Sequence, residues 1–89
     1  MTSQQRVKQF IVDNFYVSDA AALRDDTSLI EGGYVDSTGM LELIGFLEKA
    51  FAIRIAENET VPENLETIGR IVAFLDRKSH LSMRASLAP

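Results

Sequence analysis

Two stripes of apolar residues recur with helical spacing along the chain. Val7, Phe10, Ile11 and Phe15 stand at i, i+3, i+4 and i+8, one face of a helix. The pattern predicts a helix from about Ser3 to Phe15, opened by a capping box between Thr2 and Gln5. Met40, Leu43, Ile44, Leu47 and Phe51 form the second and longer stripe. Asp36 or Ser37 suits the N-cap just before it. Gly39 in its first turn costs about 1 kcal/mol relative to alanine, a penalty that the close approach of another surface would explain. After it, Phe51, Ile53 and Ile55 alternate in "FAIRIAENETV", the period of an extended link. A short helical turn is expected at Val61–Leu65, with Thr60 as cap and Pro62 in the first turn. The last helix has Thr67 as cap and carries Ile68, Ile71, Val72 and Leu75. It is expected to end near Lys78, with Arg77 and Lys78 at the negative end of its dipole.

Residues 16–36 break both periods. Ser18, Asp19, Asp25, Asp26, Thr27, Ser28, Gly32 and Gly33 favour turns and local side-chain bonds. A single helical turn fits residues 21–23. A connection this long is usually functional or tied down, and Leu29 and Ile30 are the expected anchors between helices. Residues 79–89, "SHLSMRASLAP", are weakly patterned and expected to fray as a flexible tail. The expectation is an all-α domain over residues 1–78: a small four-helix bundle of three main helices and one short one, with a long loop between helices 1 and 2.

Composition narrows the function. The chain has 89 residues, 46% apolar and 25% charged, enough for one small core and hardly for a deep cleft as well. There is no cysteine, hence no disulfide and no thiolate metal site. No run of eighteen or more apolar residues exists to span a membrane, and "MTSQQRVKQF" has no secretory-signal pattern. A monomer in the cytoplasm is expected. Residues 31–66 hold eight acids against two bases, whereas residues 67–89 sum to +3. An acidic middle argues against nucleic-acid binding. It suits a partner with a basic surface, or serves only as a solvated face.

Most catalytic readings fail on these residues. His80 is the single histidine and falls in the expected tail, so a Ser–His nucleophile has no visible third member. Glu42 and Glu48 are six apart and point roughly 120° from each other around a helix, which does not make a paired-carboxylate site. No calcium loop and no phosphate-binding loop is present. No catalytic or metal-ligating residue is assigned, and the chain is read as a non-enzyme. Ser37 remains. It is either a plain N-cap or a hydroxyl beside free N–H groups and the positive end of a helix dipole, where an esterified phosphate would be stabilised.

The stretch "DTSLIEGGYVDSTGMLELIGFLEKAFAIRI" resembles the central region of acyl carrier proteins. Asp36-Ser37 stands where that family has Asp-Ser-Leu at the head of its second helix. Glu42-Leu43, Leu47-Glu48 and Phe51 follow at the family's spacings without a gap, and Leu29 matches its apolar loop residue. "VPENLETIGRIVAFL" is similar to the family's Pro-Glu-Asn-Phe-x-Thr-Val stretch. The resemblance covers about residues 5–78. It implies that Ser37 carries 4′-phosphopantetheine, transferred from coenzyme A by a phosphopantetheinyl transferase. Acyl groups would ride as thioesters on that arm, which would account for a chain without cysteine. Implied partners are a loading ligase for acyl or aminoacyl groups and acyl-transferring or acyl-modifying enzymes with basic docking surfaces, in fatty-acid or specialised lipid or polyketide biosynthesis.

The resemblance also implies a partner surface on the second helix, formed by Asp36, Thr38, Leu41, Glu42, Gly45 and Glu48. Each has a plainer reading: the glutamates as solvated charges, Leu41 as packed on the loop. Phe46 is either a partner contact or buried by another helix. Two departures stand out. Thr38 replaces the family's leucine and Gly39 its usual acid, which points to a specialised carrier rather than the general fatty-acid one. An aminoacyl or peptidyl carrier, and an unmodified helical adaptor for basic partners, are the alternatives.

Overall fold

The computed structural model describes residues 2–15, 17 and 19–87, with side chains described through Lys78. Four helices follow in order: α1 (Ser3–Asn14), α2 (Ser37–Ala50), α3 (Pro62–Leu65) and α4 (Ile68–Leu87). Single 3-10 turns at Ala20–Ala22 and Glu57–Glu59 punctuate the two longer connections. No strand occurs among the described residues. The expected all-α bundle, three main helices and one short, is what forms.

Each helix begins for a local reason. Thr2 Oγ1 accepts from the Gln5 amide at 3.1 Å, and Gln5 Oε1 accepts from the Thr2 amide at 2.9 Å, the reciprocal box expected at α1. Pro62 opens α3 at the position where its missing N–H costs nothing. Thr67 Oγ1 accepts from the Arg70 amide at 3.1 Å at the head of α4. The stripes then meet. Val7 and Ile11 of α1, Leu43 and Leu47 of α2, Leu65 of α3, and Ile68, Ile71, Phe74 and Leu75 of α4 are buried in one core.

The α1–α2 connection is part of that core. Leu23, Leu29 and Val35 are buried in it, each contributing about 1.5–3 kcal/mol by leaving water. Polar bonds fix it as well. The Leu29 amide donates to Glu66 O at 2.9 Å, the Gly69 amide to Asp25 O at 2.9 Å, and Gln4 Nε2 to Asp25 Oδ1 at 2.9 Å. Leu29 O in turn accepts from the Tyr34 and Val35 amides. The turn between them needs its glycines. Gly33 has φ +78°, and a Cβ at Gly32 would lie 2.6 Å from Ser28 O.

Several expectations are corrected. Ile30 is not an anchor: it is 48% exposed beside a wholly buried Leu29, because consecutive residues of a turn point different ways. The cap of α3 is Val61, whose carbonyl accepts from the Asn64 and Leu65 amides, while the Thr60 hydroxyl donates back to Glu57 O at 2.6 Å. The last helix does not stop near Lys78 but runs on to Leu87, because residues 79–87 contain neither glycine nor proline and are rich in good helix formers. Arg77 and Lys78 therefore lie inside α4 and do not serve its dipole. Arg77 reaches Asn64 Oδ1 at 2.8 Å, and Lys78 reaches both carboxylate oxygens of Glu59 at 2.9 and 3.1 Å.

Candidate functional site

The head of α2 separates two roles that the sequence left open between Asp36 and Ser37. Asp36 is the N-cap: its Oδ1 accepts from the Gly39 amide at 2.6 Å, and its carbonyl accepts from the Met40 amide at 2.8 Å. Ser37 is the first helical residue, exposed to solvent. Among the described residues its hydroxyl makes no hydrogen bond, and neither the Ser37 nor the Thr38 amide has an acceptor. These are first-turn donors at the positive end of the helix dipole. Capping thus does not explain the serine.

Gly39 has the neighbour its cost called for. It is buried, and a Cβ there would lie 2.7 Å from Phe15 Cε1, 3.1 Å from Asp36 Oδ1 and 3.2 Å from Val35 Cγ1. The end of α1, the end of the long loop and the start of α2 converge at this point. The glycine lets Phe15 seat directly under the helix head that presents Ser37.

The other α2 residues named from the sequence divide into two groups. Thr38, Leu41, Glu42 and Gly45 are exposed, Leu41 to 71%, so Leu41 does not pack on the loop. Nothing lies within 4 Å of where a Gly45 Cβ would stand. Glu48 behaves differently. It is half-buried, and its Oε2 accepts from the Ile55 amide at 3.0 Å while its carbonyl accepts from the Ile53 amide at 3.2 Å. It holds the chain that leaves α2. Phe46 turns toward α1, where its ring stacks on Phe10 with centroids 4.2 Å apart and planes 13° apart.

Two hollows flank the helix head. One, of about 350 Å³, lies between the loop at Ser28, Ile30 and Glu31 and the segment Thr60–Leu65, with Met40, one turn beyond Ser37, in its wall. Its lining is mainly apolar: Ile30, Met40, Val61, Pro62 and Leu65. The other, of about 370 Å³, is mixed, lined by Asn14, Tyr34, Asp36, Thr38 and Glu42 over Phe15 and Gly39. The sequence did not point to the first hollow, because its walls come from three separate stretches. The side chain of His80 lies outside the described residues.

The head of α2 thus presents an exposed hydroxyl from a small helical bundle, with an apolar hollow one turn away. No protein-family model matches the chain. It is 34% identical over 80 residues to the acyl carrier protein of Chlamydia muridarum, taking in 90% of this chain and all of that one. The acyl carrier protein of Chlamydia trachomatis serovar L2 is 36% identical over 75 residues, 84% of this chain and 94% of the relative. The D-alanyl carrier protein of Streptococcus uberis is 33% identical over 69 residues, 74% and 86% of the two chains. Among solved structures, a chain of one described as the crystal structure of FAD-dependent dehydrogenase superposes with a TM-score of 0.69 at 28% identity, over 78% of this chain and 97% of that one. The chain belongs to the acyl carrier protein family.

Proposed function

We propose that this carrier holds acyl groups as thioesters on a 4′-phosphopantetheine arm at Ser37 and delivers them to partner enzymes. The observation that carries the reading is the division of labour at the helix head. Asp36 does the capping, so the Ser37 hydroxyl stands exposed with no structural duty among the described residues. The site suits a phosphodiester. The Ser37 and Thr38 amides, without acceptors among the described residues, and the helix dipole favour an anion there. The arm supplies the thiol that this cysteine-free chain lacks. Ser37 anchors it, Asp36 fixes the helix end that bears it, and the apolar hollow beside Met40 offers an acyl chain shelter from water. Exposed Leu41 and Glu42 supply apolar contact and negative charge for partners with basic surfaces.

Incubation with coenzyme A and a broad-specificity phosphopantetheinyl transferase is expected to raise the mass by one phosphopantetheine, and Ser37→Ala to abolish the gain. An unchanged mass with every transferase tried, in a protein whose far-UV spectrum shows it folded, overturns the proposal.

A second cargo class is supported by the polar side chains in the second hollow. Thr38 and Glu42 line it, and the D-alanyl carrier of Streptococcus uberis is among the relatives. Loading the arm with fatty-acyl and with aminoacyl ligases in parallel separates the two. Preference for the aminoacyl ligases favours an amino-acid cargo.

A further inference from the structure

We infer that the Glu59–Lys78 pair is a latch on one wall of the apolar hollow and sets how large a cargo the carrier shelters. The inference rests on the carrier reading above and concerns the regulation of that same site.

The two walls of the hollow are built differently. On the loop side, Leu29 is wholly buried and its carbonyl accepts two amides, so the backbone beneath Ile30 is fixed. The opposite wall, Thr60–Glu66, contains only the four-residue helix α3. One turn does not sustain itself in water, so this wall depends on what holds it. Leu65 is its buried residue, and Leu65 lies next to Glu66, whose carbonyl accepts from the Leu29 amide at 2.9 Å. The two walls are therefore joined at that end, which acts as the hinge.

The rest of the hold is polar: Asn64 Nδ2 donates to Glu59 O at 2.9 Å within the wall, and the other links come from α4. Arg70 Nη1 reaches Pro62 O at 3.3 Å and Glu66 Oε2 at 2.9 Å, Arg77 reaches Asn64, and Lys78 reaches Glu59. The three cations stand at i, i+7 and i+8, on one side of α4. Lys78 to Glu59 is the link farthest along the chain from the hinge. Glu59 also accepts from the Ala56 amide at 2.9 Å, so the same carboxylate closes the 3-10 turn that leads into the wall. Releasing this pair loosens the wall where it lies farthest from the hinge, between the Ile55–Glu48 tether and Leu65, and the mouth of the hollow widens between Ile30 and Val61. A small apolar group fits with the latch shut, and a longer one needs it open.

Hydrogen exchange on the full unmodified chain tests the latch without any cargo. In Lys78→Gln the Asn64, Leu65 and Glu66 amides are expected to exchange about two- to fivefold faster, the range of a partly exposed ion pair. Amides of α1 and α2 keep their rates, and Lys78→Arg exchanges like the parent. The cargo half uses hexanoyl and dodecanoyl thioesters on the arm and reads hydroxylamine cleavage. The dodecanoyl-to-hexanoyl rate ratio is expected to fall in Lys78→Gln. Unchanged exchange at Asn64–Glu66, acceleration spread evenly over all helices, or an unchanged cleavage ratio overturns the inference. Failure of Ser37 to accept an arm sinks the carrier reading and the cargo half together, while the exchange result stands on its own.

Discussion

Phe15 lies under Gly39 so closely that a Cβ on residue 39 would come within 2.7 Å of its ring. The contact joins the last residue of the first helical stripe to the first turn of the second. Gly39→Ala gains about 1 kcal/mol of helix propensity and meets Phe15, Asp36 and Val35 at once, an overpacking cost of about 1–3 kcal/mol. The expected net result is a loss of about 1 kcal/mol. Equilibrium urea unfolding checks it. Most of the loss is expected to vanish in a Phe15→Ala background, where the ring is gone.

Asp36 and Ser37 are adjacent and have separate jobs. Asp36→Ala removes the cap of α2 and is expected to cost about 1 kcal/mol, with Asp36→Asn retaining most of it. Ser37→Ala is expected to change stability by less than about 0.5 kcal/mol, as for an exposed residue with no partner. Thermal unfolding of the three variants measures this. A large loss in Ser37→Ala would mean that its hydroxyl is structural after all.

Glu42 and Glu48 share a helix and differ in surroundings. Glu48→Lys removes the acceptor of the Ile55 amide and is expected to destabilise the protein by about 1 kcal/mol. Glu42→Lys is expected to leave the fold unchanged and to slow turnover with the proposed basic partner enzymes, an effect that added salt is expected to reproduce in the parent. Comparing melting temperature with partner turnover for each variant separates the two roles.

Ala52, just after α2, has φ +54°, in the left-handed region that disfavours side chains. It occupies the position where helices commonly end on glycine, and the Ile53 amide reaching back to Glu48 O completes the turn. Ala52→Gly is expected to stabilise the protein by up to about 1 kcal/mol, read from the shift in urea midpoint.

Lys78 holds the Glu59 carboxyl below its ordinary value of 4.5, first through the side-chain hydrogen bond, with the Ala56 amide adding to it and burial opposing. A carboxyl depressed in the folded state contributes stability above its ordinary value. That contribution is lost as pH falls through the depressed folded value. The melting temperature of Glu59→Gln is therefore expected to lie below the parent's near neutral pH and to converge with it in acid well below 4.5.

The local signals were legible because they are short-range. The Thr2–Gln5 box, a cap at Asp36 or Ser37, Pro62 in a first turn and Thr67 at the last helix each need only residues three or four apart, and periodicity needs only one face. The resemblance carried Ser37 in the same way, through ordered spacings in one stretch. The neighbours of Gly39 were only half visible: its cost showed in the sequence, but Phe15, 24 positions earlier, did not.

Sequence by itself determined the helices, their buried stripes, the acidic middle and the hydroxyl at a helix head, since propensity, capping and amphipathic period are properties of neighbouring residues. Only the tertiary structure decided which way a residue of the long loop faces, burying Leu29 and leaving Ile30 out. It also decided that Glu48 holds a loop, that Phe46 stacks on α1, and that Lys78 clasps Glu59. Those outcomes depend on which surfaces meet when the helices pack, and contact across 19 residues of chain leaves no mark in the pattern on either side.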